Sequence, residues 1–138
     1  MLIVIDTSVL VSAMLGPRGA SREVIRGALD GRYTPAVGQA LFAEYEAAIA
    51  KPSLFEKCPL TEHERQEILD ALRATCRWTR IYFGWRPNVR DETDNHVVEL
   101  AIAAGANAIV TRNLRDFAGM EVRFESLRIA APEVFIRE

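Results

Sequence analysis

Four acidic residues stand at positions from which they could share one site. Asp6 directly follows the apolar run Leu2–Ile5, and Asp116 closes the stretch VTRNLRD after another apolar run. Glu44 lies in LFAEYEAAI, on a helical face that also carries apolar residues, and Asp94 begins the helix-like stretch DNHVVELAIAAGA. Three of these acids also have an ordinary alternative, since Asp6 and Asp94 are good helix N-caps and Asp116 can be a plain loop residue.

Together these acids predict a metal site. Carboxylates that crowd into one pocket repel one another and their pKa values rise, and a divalent cation removes that cost. A ligand set made only of oxygen atoms suits Mg²⁺ or Mn²⁺. Such an ion activates water and stabilises the charge that develops on a phosphate. The chemistry indicated is therefore a metal-assisted attack on a phosphate.

The alternation of strand-like and helix-like stretches predicts how the acids are brought together. Apolar runs of strand length fall at Leu2–Ile5, 33–38, 79–83, 107–111 and 126–130. Helix-periodic stretches begin near Val9 and cover 21–29, 39–50, 61–76, 94–106 and 131–138. This order is typical of an α/β three-layer sandwich, with a central parallel sheet of about five strands and helices on both faces. Asp6 and the stretch TRNLRD then meet at the carboxyl edge of the sheet, where such folds place their sites.

Two helix starts carry local signals. Ser21 is a plausible N-cap ahead of REVIRGAL. Thr61 and Glu64 have the spacing of a capping box. The helix that follows the capping box places Ile68, Leu69 and Leu72 on one face, which predicts that this face is buried.

Composition indicates a single globular domain over residues 1–138. The chain is 49% hydrophobic and 26% charged, so it can bury a core and does not resemble a disordered protein. No apolar run approaches the roughly 20 residues of a membrane span, and no signal peptide is evident. Cys58 and Cys76 lack zinc-site spacing and fit a reducing cytosol, so a cytoplasmic location is expected.

Four stretches together resemble the PIN-domain family, and more narrowly the VapC-like toxins of bacterial toxin–antitoxin systems. They are IVIDTSVLVSAML, LFAEYEAAI, RDETDNHVVELAIAAGANAIVTRNLRDF and SLRIAAPEVF, which cover nearly the whole chain. The resemblance implies an endoribonuclease that depends on Mg²⁺ or Mn²⁺ and hydrolyses RNA phosphodiester bonds to leave a 5′-phosphate. It also implies a cognate antitoxin protein as partner and a homodimer.

The resemblance carries onto individual positions. In chain order, the four acids of the family match Asp6, Glu44, Asp94 and Asp116. Thr7 and Ser8 match the small hydroxyl residues that follow the first acid and are candidates for substrate binding, and Asn113 matches a polar residue that orients a water or the scissile phosphate. Related proteins often have a longer acidic run where this chain has DETDN, so Asp91 shares or contests the role of Asp94.

The net charge of −2 becomes a small positive balance when the candidate metal ligands are set apart. Four of the 19 acidic residues are the candidate ligands, which leaves 15 against 17 basic residues. Arginine binds phosphate through a planar fork, so arginines near the acids are candidates for RNA contacts, with ordinary solvated surface as the alternative. Arg112 is the first of these candidates, because it adjoins Asn113. The others are Arg18, Arg22, Arg86, Arg90 and Arg115.

Other interpretations remain open from the sequence. A haloacid-dehalogenase-like phosphotransferase also starts with an aspartate after an apolar strand, but it needs a second acid where this chain has Ser8. A catalytically idle PIN scaffold that binds a protein or RNA partner is a second alternative. Residues 53–75, with Leu54 and Phe55, are either an antitoxin docking surface or ordinary helix packing. His96 lies two residues beyond Asp94, so it is predicted to point away from that acid and is given no chemical role.

Overall fold

A five-stranded sheet forms the centre of the computed structural model, which describes residues 1–16, 19–81, 95–118 and 126–137. The strands are β1 (Leu2–Ile5), β2 (Thr34–Val37), β3 (Arg77–Trp78), β4 (Ala108–Val110) and β5 (Arg128–Ala130). They lie in the order β3-β2-β1-β4-β5, and every neighbouring pair is parallel. The predicted α/β class with a parallel sheet is therefore confirmed.

Helices surround this sheet. Within the described ranges they are α1 (Thr7–Leu15), α2 (Ala20–Leu29), α3 (Gln39–Ile49), α4 (Glu62–Thr75), α5 (Asn95–Ala104) and α6 (Pro132–Phe135), with 3₁₀ turns at Pro52–Leu54 and Leu114–Phe117. Helix α1 packs against α2 and α3, α4 packs against the same two helices, and α5 lies on β1, β2 and β4. Among the helices of these ranges, none has both the length and the apolar character needed to cross a bilayer.

Strand β1 occupies the middle of the sheet because its side chains are apolar throughout. Ile3, Val4 and Ile5 are fully buried, as expected for a parallel strand that is covered on both faces. In the register, Ile5 lies opposite Val110 of β4, and the backbone N–H of Asp6 donates to the Val110 carbonyl at 2.9 Å. The ladder thus extends one residue beyond β1 and fixes Asp6 at the carboxyl edge.

The third strand lies earlier in the chain than predicted. Arg77 and Trp78 pair with Ala36 and Val37, and the N–H of Thr79 donates to the carbonyl of Val37 at 2.9 Å. The prediction of a strand at 79–83 was wrong in position, because pairing begins as soon as α4 ends and precedes the apolar run. Residues 82 and 83 lie outside the described part of the chain.

Helix α2 also starts before the predicted cap. Its N-cap is Gly19 with φ of 130°, a backbone conformation that glycine adopts far more easily than other residues. Ser21 is therefore inside the first turn, where it is 3% exposed. The prediction of Ser21 as the cap was wrong, because Gly19 already makes the turn into the helix.

The capping box of α4 is confirmed. The hydroxyl of Thr61 accepts a hydrogen bond from the N–H of Glu64 at 3.1 Å, and the Glu64 carboxylate accepts one from the N–H of Thr61 at 2.8 Å. Each bond satisfies a backbone donor that the helix itself cannot satisfy.

We expect Thr61→Ala to lower the free energy of unfolding by about 1 kcal/mol, because the Glu64 N–H loses its acceptor. Thermal unfolding should show a fall of a few degrees in the midpoint. Thr61→Ser retains the hydroxyl and is the control. Equal midpoints for the alanine and serine variants would contradict the assigned role of the cap.

Candidate active site

A cleft of about 450 Å³ opens at the ends of β1 and β4, between α1 and α3. Its polar side holds residues that follow the two strands, together with one acid from α3. Its other side is formed mainly by apolar residues of α1, α3 and the first 3₁₀ turn. The lining residues are Asp6, Thr7, Ser8, Val11, Ser12, Leu15, Glu44, Ala48, Leu54 and Asn113. The cleft therefore brings together five of the candidate catalytic and substrate-binding residues: Asp6, Glu44, Asn113, Thr7 and Ser8.

Asp6 is held by hydroxyl groups and does not act as a helix cap. It is 4% exposed, and although it stands at the N-cap position of α1, its side chain makes no capping hydrogen bond. Its Oδ2 accepts hydrogen bonds from Ser8 Oγ at 2.6 Å and from Thr111 Oγ1 at 2.9 Å. Capping alone therefore does not explain why a carboxylate occupies this position.

Both hydroxyls are themselves oriented by the backbone after β4. Ser8 Oγ accepts from the N–H of Arg112 at 3.1 Å, and Thr111 Oγ1 accepts from the N–H of Asn113 at 2.9 Å. A hydroxyl has a single hydrogen, so each directs that hydrogen to Asp6 Oδ2. Neither hydroxyl donates to Oδ1. The turn after β4 thus fixes the orientation of a carboxylate that follows β1.

Thr111 is a site residue that the sequence analysis missed. It is fully buried at the end of β4 and contacts Asp6 across 105 positions of the chain. The available signal was a hydroxyl residue directly after an apolar strand, as Thr7 and Ser8 are near β1. Its importance could not be weighed from sequence, because it depends on β4 lying beside β1.

Glu44 is held at both of its oxygens. The Thr7 hydroxyl donates to Oε1, and Nε2 of His96 lies 3.1 Å from Oε2. The Glu44 side chain is 41% exposed and that of His96 is 24% exposed. The sequence analysis assigns His96 no chemical role. The periodicity of α5 shows which way His96 points from its own helix, but it does not show that Glu44 of α3 lies beside it.

Tyr45, next to Glu44 on α3, fastens that helix to the end of β1. It is 1% exposed, and its hydroxyl donates to the carbonyl of Ile5, the residue before Asp6. Burial raises the pKa of Tyr45 well above its ordinary value, and nearby Cys76, Asp6 and Glu44 raise it further. The phenol therefore keeps its proton and this bond, which sets the position of α3 relative to Asp6.

Asp116 lies on the second 3₁₀ turn, Leu114–Phe117, and is solvent-exposed. That turn is anchored by Phe117, which is 2% exposed, and by the N–H of Asp116, which donates to the Asn113 carbonyl at 2.9 Å. Asp116 is not among the residues that line the cleft, whereas Asn113 is. Its role as a fourth ligand stays a prediction.

The guanidinium of Arg112 contacts protein side chains away from the cleft lining. Its Nη1 donates to Ser21 Oγ at 3.2 Å and pairs with Oε2 of Glu133 at 3.1 Å. The pKa of Glu133 is lowered, first by its own backbone N–H at the start of α6 and then by Arg112. A role for Arg112 in binding substrate stays a prediction.

The third predicted acid, Asp94, and its rival Asp91 lie outside the described residues, as do Arg18, Arg86 and Arg90. Within the described ranges, no three acidic, histidine or cysteine side chains gather at metal-ligand spacing. Asp6 and Glu44 are the acids that line the cleft. Mg²⁺ is commonly held by one or two carboxylates while it keeps several waters, so this donor set fits such an ion.

Comparisons with known proteins agree with this architecture. The sequence model of the PIN domain matches residues 2–115, a span that includes Asp6, Glu44 and Asn113 and ends one residue before Asp116. The fold is similar to a chain of VapBC2 from Rickettsia felis, solved bound to a DNA fragment from their promoter. That match has a TM-score of 0.59 and 15% sequence identity, and it covers 95% of this chain and 98% of the other. No curated protein sequence matches significantly.

Proposed function

This chain belongs to the PIN domain family, and on that premise we propose that it is a Mg²⁺- or Mn²⁺-dependent endoribonuclease and the toxin of a toxin–antitoxin pair. The observation that carries the proposal is the pair of oriented carboxylates, Asp6 and Glu44, in one open cleft. Family membership also sets aside the haloacid-dehalogenase-like alternative.

The proposed metal ligands are Asp6, Glu44, Asp94 and Asp116. A bound divalent ion would supply a Lewis acid that activates water and stabilises charge on the phosphate. Ser8 and Thr111 both donate to Oδ2 of Asp6, so neither hydroxyl occupies Oδ1, and Asp6 would be able to hold the ion through that oxygen. Glu44 is held differently, because Thr7 contacts Oε1 and His96 contacts Oε2.

The remaining candidate residues divide into groups that would contact the RNA and groups that position the acids. Asn113 lines the cleft and is the proposed group that orients a water or the scissile phosphate. Thr7 and Ser8 were predicted to contact substrate, and their hydrogen bonds to the two acids favour a positioning role. Arg112 would exchange Glu133 for an RNA phosphate, at low cost because the pair is 40% and 51% exposed.

The test of this function is cleavage of a single-stranded RNA by the purified protein with Mg²⁺ or Mn²⁺, compared with the same reaction in a chelator. We expect 5′-phosphate products with either ion and none with the chelator. Cleavage that survives the chelator would overturn the metal-dependent mechanism. If no RNA is cut although the protein binds Mn²⁺, the idle scaffold becomes the better interpretation.

The partner that we propose is an antitoxin segment with both apolar and basic side chains. The apolar wall of the cleft, formed by Val11, Leu15, Ala48 and Leu54, adjoins the two acids. Leu54 is 41% exposed and is available for docking. Phe55 is 5% exposed, which favours helix packing, the second of the two alternatives left open for this residue. A homodimer and a cytoplasmic location complete this proposal.

Thr111→Val should reduce kcat by about 10-fold or more, because valine keeps the volume of threonine but cannot donate to Asp6. Thr111→Ser retains the hydroxyl and should stay near wild type. The measurement is steady-state cleavage of one defined RNA, with thermal unfolding to confirm that each variant is folded. Equal rates for the valine and serine variants would show that this hydrogen bond does not matter for catalysis.

Asp94→Asn should weaken Mn²⁺ binding by about 10-fold or more, and Asp91→Asn should change it little. The resemblance matches Asp94 to the third metal-binding acid of the family, so this substitution removes a proposed ligand. Asp91 is the alternative position for that acid. Calorimetric titration of Mn²⁺ into each variant makes the comparison without knowledge of the RNA. The opposite ranking would transfer the role to Asp91.

A further inference from the structure

We infer that His96 is a positioning residue for the metal site, which it serves by holding the Glu44 carboxylate in one orientation. This inference rests on the proposed function. His96 comes from α5 and Glu44 from α3, 52 positions apart, and His96 Nε2 lies 3.1 Å from Glu44 Oε2. Among the described side chains, His96 is the hydrogen-bond partner of Oε2, and Thr7 donates to the other oxygen, Oε1.

The contacts from Thr7 and His96 together fix the orientation of the Glu44 carboxylate. A carboxylate with one held oxygen can still turn about its last torsion angle, which is broad for glutamate. Donors on both oxygens, one from α1 and one from α5, remove that freedom. Groups that hold metal ligands in place commonly contribute about 10-fold to 100-fold to metal affinity or activity.

The ring contacts Glu44 through one particular nitrogen. Only a protonated Nε2 can donate to a carboxylate oxygen. Nδ1 is buried and has no hydrogen-bond partner among the described residues. His96 also lines a second cavity, together with residues of α3 such as Ala43. The orientation of the ring therefore makes Nε2 the functional nitrogen.

This geometry gives a test in which two similar variants should differ. The amide nitrogen of glutamine can reach the position of histidine Nε2, whereas the shorter asparagine places its amide near Nδ1. We expect His96→Gln to stay within about threefold of wild type. His96→Asn and His96→Ala should both lose about 10-fold or more in Mn²⁺ affinity and in kcat, with KM little changed.

The matched control is His63→Asn. His63 is the other histidine of the chain, and its side chain is 85% exposed on α4, 3.9 Å from Glu67. This substitution should change neither Mn²⁺ affinity nor kcat. Thermal unfolding of every variant separates the positioning of Glu44 from a general loss of stability.

Mn²⁺ titration of the protein without RNA gives a readout that does not depend on cleavage. The inference is overturned if His96→Gln and His96→Asn behave alike, or if both match wild type. Failure of the inference does not affect the proposed function, provided that the wild-type protein binds Mn²⁺ and cleaves RNA. If the wild type neither binds Mn²⁺ nor cleaves RNA, the proposed function fails and the inference fails with it.

Discussion

Asp6→Asn is expected to lower RNA cleavage by on the order of 100-fold to 1,000-fold while the protein stays folded. Asparagine has the shape of aspartate, and its carbonyl oxygen can still accept the hydrogen bonds that Ser8 and Thr111 now donate. The substitution removes the negative charge, which is what a divalent ion requires at this position. Cleavage of a defined RNA, together with circular dichroism and thermal unfolding, measures both parts of the prediction.

The control for Asp6→Asn is Asp70→Asn. Asp70 is an exposed residue of α4 whose carboxylate accepts a hydrogen bond from Gln66 at 3.0 Å. The same change of charge at that distant position should leave cleavage at the wild-type rate. Wild-type activity in Asp6→Asn, or an equal loss in the two variants, would refute the assignment of Asp6 to the metal site.

Arg65→Met is expected to lower the free energy of unfolding by about 2–4 kcal/mol, which corresponds to a fall of roughly 10 °C in the unfolding midpoint. Arg65 is 5% exposed on α4. Its Nε donates to the carbonyl of Ile49 at 2.9 Å, and its Nη1 donates to that of Leu60 at 3.1 Å. Its guanidinium also lies 4.2 Å above the ring of Phe55.

The size of this effect follows from the location of the two carbonyls. Ile49 is the last residue of α3, so its carbonyl has no partner within the helix. Methionine fills much of the arginine volume but donates no hydrogen bond, so the buried carbonyl of Ile49 and the partly buried carbonyl of Leu60 both lose this donor.

Arg26→Met is the control for Arg65→Met. Arg26 is 57% exposed and pairs with Glu23 at 3.6 Å, so its loss should change the free energy of unfolding by less than about 1 kcal/mol. Thermal and urea unfolding of the two variants give the comparison. Equal destabilisation by both substitutions would show that Arg65 does not join α3 to α4 in the way described.

The sequence was informative where neighbouring residues decide the structure. The apolar run of β1 and its sharp end at Asp6 predict a buried strand with an acid at its edge, and the structure has both. The spacing of Thr61 and Glu64 predicts the capping box, because both hydrogen bonds close within one helical turn. The alternation of apolar runs and helical periods likewise predicts the parallel sheet.

Local signals failed where two of them competed. The run TRIYF has a stronger strand pattern than RW, yet pairing with β2 begins at Arg77. Ser21 is a better cap by residue type than Gly19, yet Gly19 has the positive φ that the entry into α2 uses. In both cases the path of the neighbouring element decided the boundary.

The sequence by itself thus determined the class of fold, the edge at which the acids lie and the identity of Asp6 and Glu44 as candidates. Only the tertiary structure decided what holds these acids: Thr111 for Asp6 across 105 positions, and His96 and Thr7 for Glu44 across 52 and 37 positions. It also turned the Arg112 guanidinium toward Glu133. The physical reason is that these partners depend on which strands are neighbours and how helices cross, and residue spacing along the chain does not encode either one.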